Sequence, residues 1–164
     1  MTLILKGGIL LDGDGGAPRR ADVAIDGPRI LAVEDSLDLA DAEVRNVEGL
    51  IVAPGFIDTH THDDGALLLD PRLVPKTSQG VTTVVVGNCG IGLAPVSRPR
   101  VEGLGLPALA GEAGTFKRFP DYLAAVTAAK PAVNVVPLVG HTTLRQEVMG
   151  DPGRAATATE IAAM

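Results

Sequence analysis

The segment Val81-Thr82-Thr83-Val84-Val85-Val86 narrows the fold more than any other part of the chain. Six consecutive β-branched residues between Gly80 and Gly87 leave no charged face to turn towards water. Such a run reads as a strand buried on both faces, the environment found where helices cover both sides of a parallel sheet. Its neighbours fit that architecture. Phe56 to His62 is a strand candidate, followed by helical character from about Asp64 to Leu69. Phe119 to Ala129 places Tyr122, Leu123 and Val126 on one helical face, with Pro131 as the stop. Ala132 to Val139 is a third buried-strand candidate despite Pro137, and Ala155 to Met164 is Ala-rich and helix-prone. Alternating strands and helices imply parallel pairing with right-handed crossovers.

The first 55 residues have a different character. Leu3 to Leu5, Gly8 to Leu11, Ala21 to Ile25, Arg29 to Val33 and Val44 to Val52 are β-prone pieces. Asp12-Gly13-Asp14-Gly15-Gly16 and Asp26-Gly27-Pro28 separate them as turns. Asp22, Ala24 and Asp26 alternate with Val23 and Ile25, the pattern of a strand with one buried face. This is a small all-β unit, and the pattern changes at Ala53-Pro54-Gly55. Three parallel strands cannot close a barrel, which takes about 200 residues. The helix-prone tail reaches Met164 without a capping glycine, so the expectation is the front portion of a larger fold.

Charge and cysteine usage exclude several classes of function. The net charge is −6, Lys and Arg are scattered, and three Phe and one Tyr are the only aromatic residues. No nucleic-acid surface is expected from that composition. Lys6, Gly7 and Gly8 interrupt the apolar N-terminus, and no stretch of about 18 apolar residues exists, so no membrane association is expected. Cys89 is the only cysteine, which fits a reducing, cytoplasmic setting and leaves the thiol free for chemistry. Gly13 to Gly16 lacks the strand-to-helix context of a phosphate loop.

The chemistry concentrates in three residues. His60 and His62 stand two apart at the end of a presumed strand, so alternation puts both imidazoles on one face. Cys89 follows the next strand, inside Gly87-Asn88-Cys89-Gly90, where flanking glycines permit close approach. A lone histidine on a strand is ordinarily structural, and a lone cysteine is most often a small buried hydrophobe. Two imidazoles and a thiolate at successive strand ends instead suit a zinc site. Asp63 and Asp64 read first as caps of the following helix, and second as acid/base groups. His141 ends the third strand and is a candidate active-site residue, whereas Arg145 reads as a surface residue.

Ala53-Pro54-Gly55-Phe56-Ile57-Asp58-Thr59-His60-Thr61-His62 resembles the first-strand signature of the amidohydrolase superfamily, metal-dependent hydrolases on a distorted (β/α)8 barrel. His60 to Asp64, Gly80 to Gly90 and Val139 to Arg145 are similar to the N-acyl-D-amino-acid deacylases within it. The resemblance implies an α/β fold: the N-terminal part of a TIM-like barrel over residues 55–164, preceded by strands of a small β-sandwich over residues 1–54. It implies zinc as the metal, His60 and His62 as ligands, and Cys89 as the residue that can bridge two metal positions. Lys76 precedes the second strand, so the bridging carboxylated lysine of other superfamily members is not assigned to it. The family's further histidines and its acid/base aspartate would come from later strands, so no catalytic residue is assigned within this chain. The implied reaction is hydrolysis of an N-acyl-D-amino acid to a carboxylate and a D-amino acid. The remaining barrel segment, in the same gene product or a second chain, is the implied partner. Without it this chain is expected to be inactive. A dihydropyrimidinase-like hydrolase and a non-catalytic fragment are the alternatives, and Gly-Asn-Cys-Gly speaks against the first.

Overall fold

One long strand, β1 (Thr2–Leu10), organises the first of two compact units, Met1–Pro54 and Gly55–Met164. The computed structural model describes residues 1–97 and 113–164. β1 pairs antiparallel with β2 (Arg19–Asp26), which pairs antiparallel with β3 (Arg29–Glu34). Along its other edge β1 pairs parallel, first with β4 (Glu43–Asn46) and then with β5 (Ile51–Val52). The two pieces expected at Leu3–Leu5 and Gly8–Leu11 are thus one strand with a bulge between Leu5 and Gly8. Gly7 supplies the left-handed backbone there, at φ 81°. The expected strand from Val44 to Val52 is two, because a turn closed by the Leu50 amide on the Val47 carbonyl interrupts it.

The alternation expected in β2 fails for a physical reason. Ala21 to Ala24 are all buried. Ile4, Ala24 and Leu37 form one apolar cluster, and Leu10, Ala21 and Val23 form another. Asp22 tolerates burial because its carboxylate accepts two backbone amides, Gly7 at 2.7 Å and Leu37 at 2.9 Å. Burial pushes its pKa up, but those two amides outweigh burial and hold it below the usual carboxylate range.

The second unit contains a parallel sheet in the order β6 (Phe56–Asp58), β7 (Val81–Val86), β8 (Asn134–Pro137). β7 is central, but it is not buried on both faces as expected: Thr82 is exposed. Val84 and Val86 are fully buried among Leu67, Leu73 and Val133, while Val81, Thr83 and Val85 are half-buried. Two short helices, α1 (Ala66–Leu69) and α2 (Val74–Thr77), connect β6 to β7. Helix α3 (Phe119–Ala129) precedes β8, with Pro120 in its first turn and Lys130 as a left-handed C-cap. Tyr122 and Val126 bury with Leu93 and Ala94, but Leu123 stays 37% exposed and so does not share their face. Helices α4 (His141–Val148) and α5 (Ala158–Ala163) follow β8. α2 and α4 carry no clear sequence signal, and β6 and β8 are shorter than expected.

Candidate metal centre

β6 ends at Asp58, so His60 and His62 lie in the turn beyond the strand, not on it. A side chain causes this: Asp58 Oδ1 accepts the His60 amide at 3.2 Å and bends the chain out of the sheet. The Thr61 amide then returns to the Val85 carbonyl at 3.3 Å, which keeps the turn against β7. Cys89 follows β7 in a 3-10 turn (Asn88–Gly90) and adopts φ 57°, ψ 18°, a left-handed conformation uncommon for a residue with a Cβ. Gly87 and Gly90 on either side have φ 82° and 73°.

These turns bring the three predicted residues together. His60 Nε2 lies 3.2 Å from Cys89 Sγ, and the two imidazoles stand 5.8 Å apart between centroids in an edge-on arrangement. One ligand atom from each of His60, His62 and Cys89 falls within 4.8 Å of the other two. Ligands held at about 2.0–2.3 Å by a tetrahedral zinc stand roughly 3.3–3.8 Å apart, so the cluster is near the size an ion demands. His62 Nδ1 is buried with no hydrogen-bond partner among the described residues, whereas His60 and Cys89 are open to solvent. Two imidazoles and one thiol, one of them with an unpaired buried nitrogen, fit a borderline-soft cation.

Contacts that the sequence did not announce hold the geometry. The Asn88 side-chain amide donates to the Val85 carbonyl at 2.7 Å and the Thr61 carbonyl at 3.3 Å, tying the cysteine turn to the histidine turn. Thr143, fully buried on α4, accepts the Gly92 amide at 3.0 Å, and its hydroxyl faces the Gly90 and Gly92 carbonyls. Gly140 packs so tightly that a Cβ would strike the Gly90 carbonyl, and one on Gly87 would strike that of Leu138. Only backbone approach fits there.

The remaining candidates differ from expectation. Asp63 and Asp64 do not cap α1, whose N-cap is Gly65 without a side-chain bond. Asp63 instead accepts the Thr61 hydroxyl at 2.7 Å and pairs with Lys76 at 3.2 Å. Asp64 is 2% exposed; burial pushes its pKa up, against the opposing Gly87 amide at 3.4 Å. His141 begins α4, beyond the end of β8, and lies exposed outside the three-residue cluster. Arg145 is half-buried, and it clamps the Pro152 and Arg154 carbonyls at 2.6 and 2.5 Å. Its role is to fold the chain after α4.

Two neighbouring parallel strands of this α/β unit thus lead into turns that bring two histidines and a cysteine together. The Amidohydrolase family model matches residues 43–164, and the chain belongs to that family. It is 52% identical over 98% of its length to the N-acyl-D-aspartate deacylase of Alcaligenes xylosoxydans xylosoxydans, covering 32% of that protein. It is also 52% identical over 99% of its length to the D-aminoacylase of the same organism, covering 34% of it. Among solved structures, a D-aminoacylase described with a binuclear metal centre matches with a TM-score of 0.91 at 50% identity, covering 98% of this chain and 34% of that one. The N-acyl-D-glutamate deacylase of Bordetella bronchiseptica, solved with zinc and a phosphonate inhibitor, matches with a TM-score of 0.85 at 43% identity and the same coverage. The chain therefore spans about a third of the length of the relatives it matches, and its fold is that of their N-terminal portion.

Proposed function

We propose that this chain is the N-terminal portion of a zinc-dependent amidohydrolase that cleaves N-acyl-D-amino acids into a carboxylate and a free D-amino acid. The observation that carries the reading is the convergence of His60, His62 and Cys89 within 4.8 Å. Identity near 50% to deacylases of N-acyl-D-aspartate and N-acyl-D-glutamate supports the substrate class. Residues 1–54 are part of a small β-sandwich, and residues 55–164 are the first strands of a (β/α)8 barrel that further polypeptide completes. No described helix is long and apolar enough to cross a membrane, and a free thiol as ligand suits the reducing cytoplasm.

Each residue has a task in that scheme. His60 and His62 hold the metal through neutral imidazole nitrogens, and Cys89 holds it through its thiolate. When bound, zinc supplies Lewis-acid polarisation of the amide carbonyl and makes water acidic enough to ionise near neutral pH. Asn88 ties the cysteine turn to the histidine turn and Thr143 ties it to α4, so the ligand atoms meet with little reorganisation. The proton-transfer group lies outside this chain, which accordingly has no turnover alone.

The test needs no activity. Metal-free protein is treated with iodoacetamide with and without stoichiometric zinc, and alkylation of Cys89 is followed by intact mass. Zinc is expected to slow alkylation at least tenfold in the native chain and to give little protection in H60A or H62A. Equal rates with and without zinc would overturn the site. For the substrate class, the chain assayed on N-acetyl-D-glutamate is expected to be silent, with turnover only when the remaining barrel segment is present.

A further inference from the structure

Along the turn that carries the two histidines, polar contacts converge on one cation. Lys76 of α2 directs its ammonium at three acceptors on the turn that carries His60 and His62. These are Asp58 Oδ2 at 2.5 Å, Thr61 Oγ1 at 3.1 Å and Asp63 Oδ2 at 3.2 Å. The acceptors are themselves linked. Asp58 holds the His60 amide with its other oxygen, and Thr61 donates its hydroxyl to Asp63. The three acceptors therefore bracket both histidines in sequence. Side-chain exposure is 24% for Lys76, 26% for Asp58 and 23% for Asp63, so water competes only partly for these bonds. The base of the clamp is firm: Leu73, the residue before α2, is buried in the cluster with Val84 and Val86, and Pro75 sits in the first turn.

Two carboxylates five residues apart in one tight turn, Asp58 and Asp63, would repel each other without a cation between them. The ammonium removes that repulsion and, with three donors, satisfies three acceptors at once. We propose that Lys76 is a positioning residue: by drawing Asp58, Thr61 and Asp63 onto one centre, it fixes the turn that aims His60 and His62 towards Cys89. The consequence for metal binding rests on the zinc reading above, whereas the clamp itself does not. Charge and positioning predict opposite signs on removal. Taking a cation away from a dication's surroundings strengthens binding by simple electrostatics, and loosening the ligand turn weakens it.

The experiment uses the protein with K76M, which keeps the stem without the charge, K76R, which keeps the charge, and T61V, which removes the hydroxyl that accepts from Lys76 and donates to Asp63. Backbone amide exchange is measured on metal-free protein, and zinc affinity by competition with a chromophoric chelator. Cobalt(II) spectra report the ligand geometry. In K76M the His60 and Thr61 amides are expected to exchange at least tenfold faster and zinc affinity to fall about 10–100-fold, with altered cobalt bands. K76R is expected to recover most of both, and T61V to lose several-fold in affinity. Unchanged exchange in K76M and T61V overturns the clamp. Faster exchange with equal or tighter zinc binding overturns the positioning role. Should the unsubstituted protein bind zinc no better than H60A while K76M still exchanges faster, the zinc reading fails and the clamp stands.

Discussion

Replacing Thr143 with valine tests the contact that joins α4 to the cysteine turn. The two side chains have nearly the same shape, a methyl standing in for the hydroxyl, and the helix, β-branched in either case, loses little. What disappears is the acceptor for the Gly92 amide, now 3.0 Å from Thr143 Oγ1 and buried. An amide donor left without a partner costs about 1–3 kcal/mol. The hydroxyl's approaches to the Gly90 and Gly92 carbonyls, at 3.5 and 3.4 Å, are too long to add much. T143V is therefore expected to destabilise the second unit by about 1–3 kcal/mol. With a urea slope of about 1–3 kcal/mol per molar, the midpoint falls by roughly 1 M. The chain offers its own probe: it has no Trp and one Tyr, and Tyr122 is buried beside Leu93 in that unit. Urea titration followed by tyrosine fluorescence reads the change directly. A midpoint within about 0.2 M of the parent at the same slope, roughly a fifth of the expected energy, would refute the claim that this hydroxyl pins the turn.

Asp22→Asn in the first unit is expected to cost about 1–3 kcal/mol in chemical denaturation, because a charged acceptor of two backbone amides, one buried and one half-buried, is replaced by a neutral one. Since the folded pKa of Asp22 lies below its ordinary 3.8, its stabilisation is present above that value and is lost as pH falls through the lower one; D22N removes that part of the acid limb. Glu160 follows the same sign: its bond with Arg154, then those with Thr157, lower its pKa from 4.5 to about 2. The capped start of α5 is therefore expected to stay ordered as pH drops below 4.5 and to loosen only near 2, whereas E160Q shows no such step in an NMR titration. Gly87→Ala is expected to lower stability by at least about 2 kcal/mol in urea, since a Cβ at φ 82° meets the Leu138 carbonyl.

The sequence exposes what depends on near neighbours and hides what depends on distant ones. β7 is legible because six β-branched residues suit one environment. The His60, His62 and Cys89 set is legible because two-residue spacing and flanking glycines are local features, even though the turn at Asp58 removed both histidines from the strand that motivated the argument. Asn88, Thr143 and Lys76 were invisible as supports, because all their partners but the Val85 carbonyl lie 13 to 53 residues away. Asp63 and Asp64 misled for the same reason: next to a helix they resemble caps, but Lys76 and the Gly87 amide claim them in space. α4 begins His141-Thr142-Thr143, a weak helix start by propensity, and packing of Thr143 against the Gly90–Gly92 turn decides it. In β2, an alternation that promised a wet face was overridden once the Gly7 and Leu37 amides had found Asp22.

The parallel pairing of β1 with β4 and β5 also sets a timetable during synthesis. β1 and β2 can close as a hairpin within about 1–10 μs of both being available. β5 begins at Ile51, some forty residues after β1 ends, which at about 5–20 residues per second is a wait of roughly 2–8 s. Until β4 and then β5 emerge, one edge of β1, along Leu3 to Lys6 and then Ile9 and Leu10, is an open template that another nascent chain could extend. Lys6 and the Gly7 kink sit in the middle of that edge, a charge and a break in an otherwise apolar strand. The bulge that shapes the finished sheet thus also guards the unfinished one.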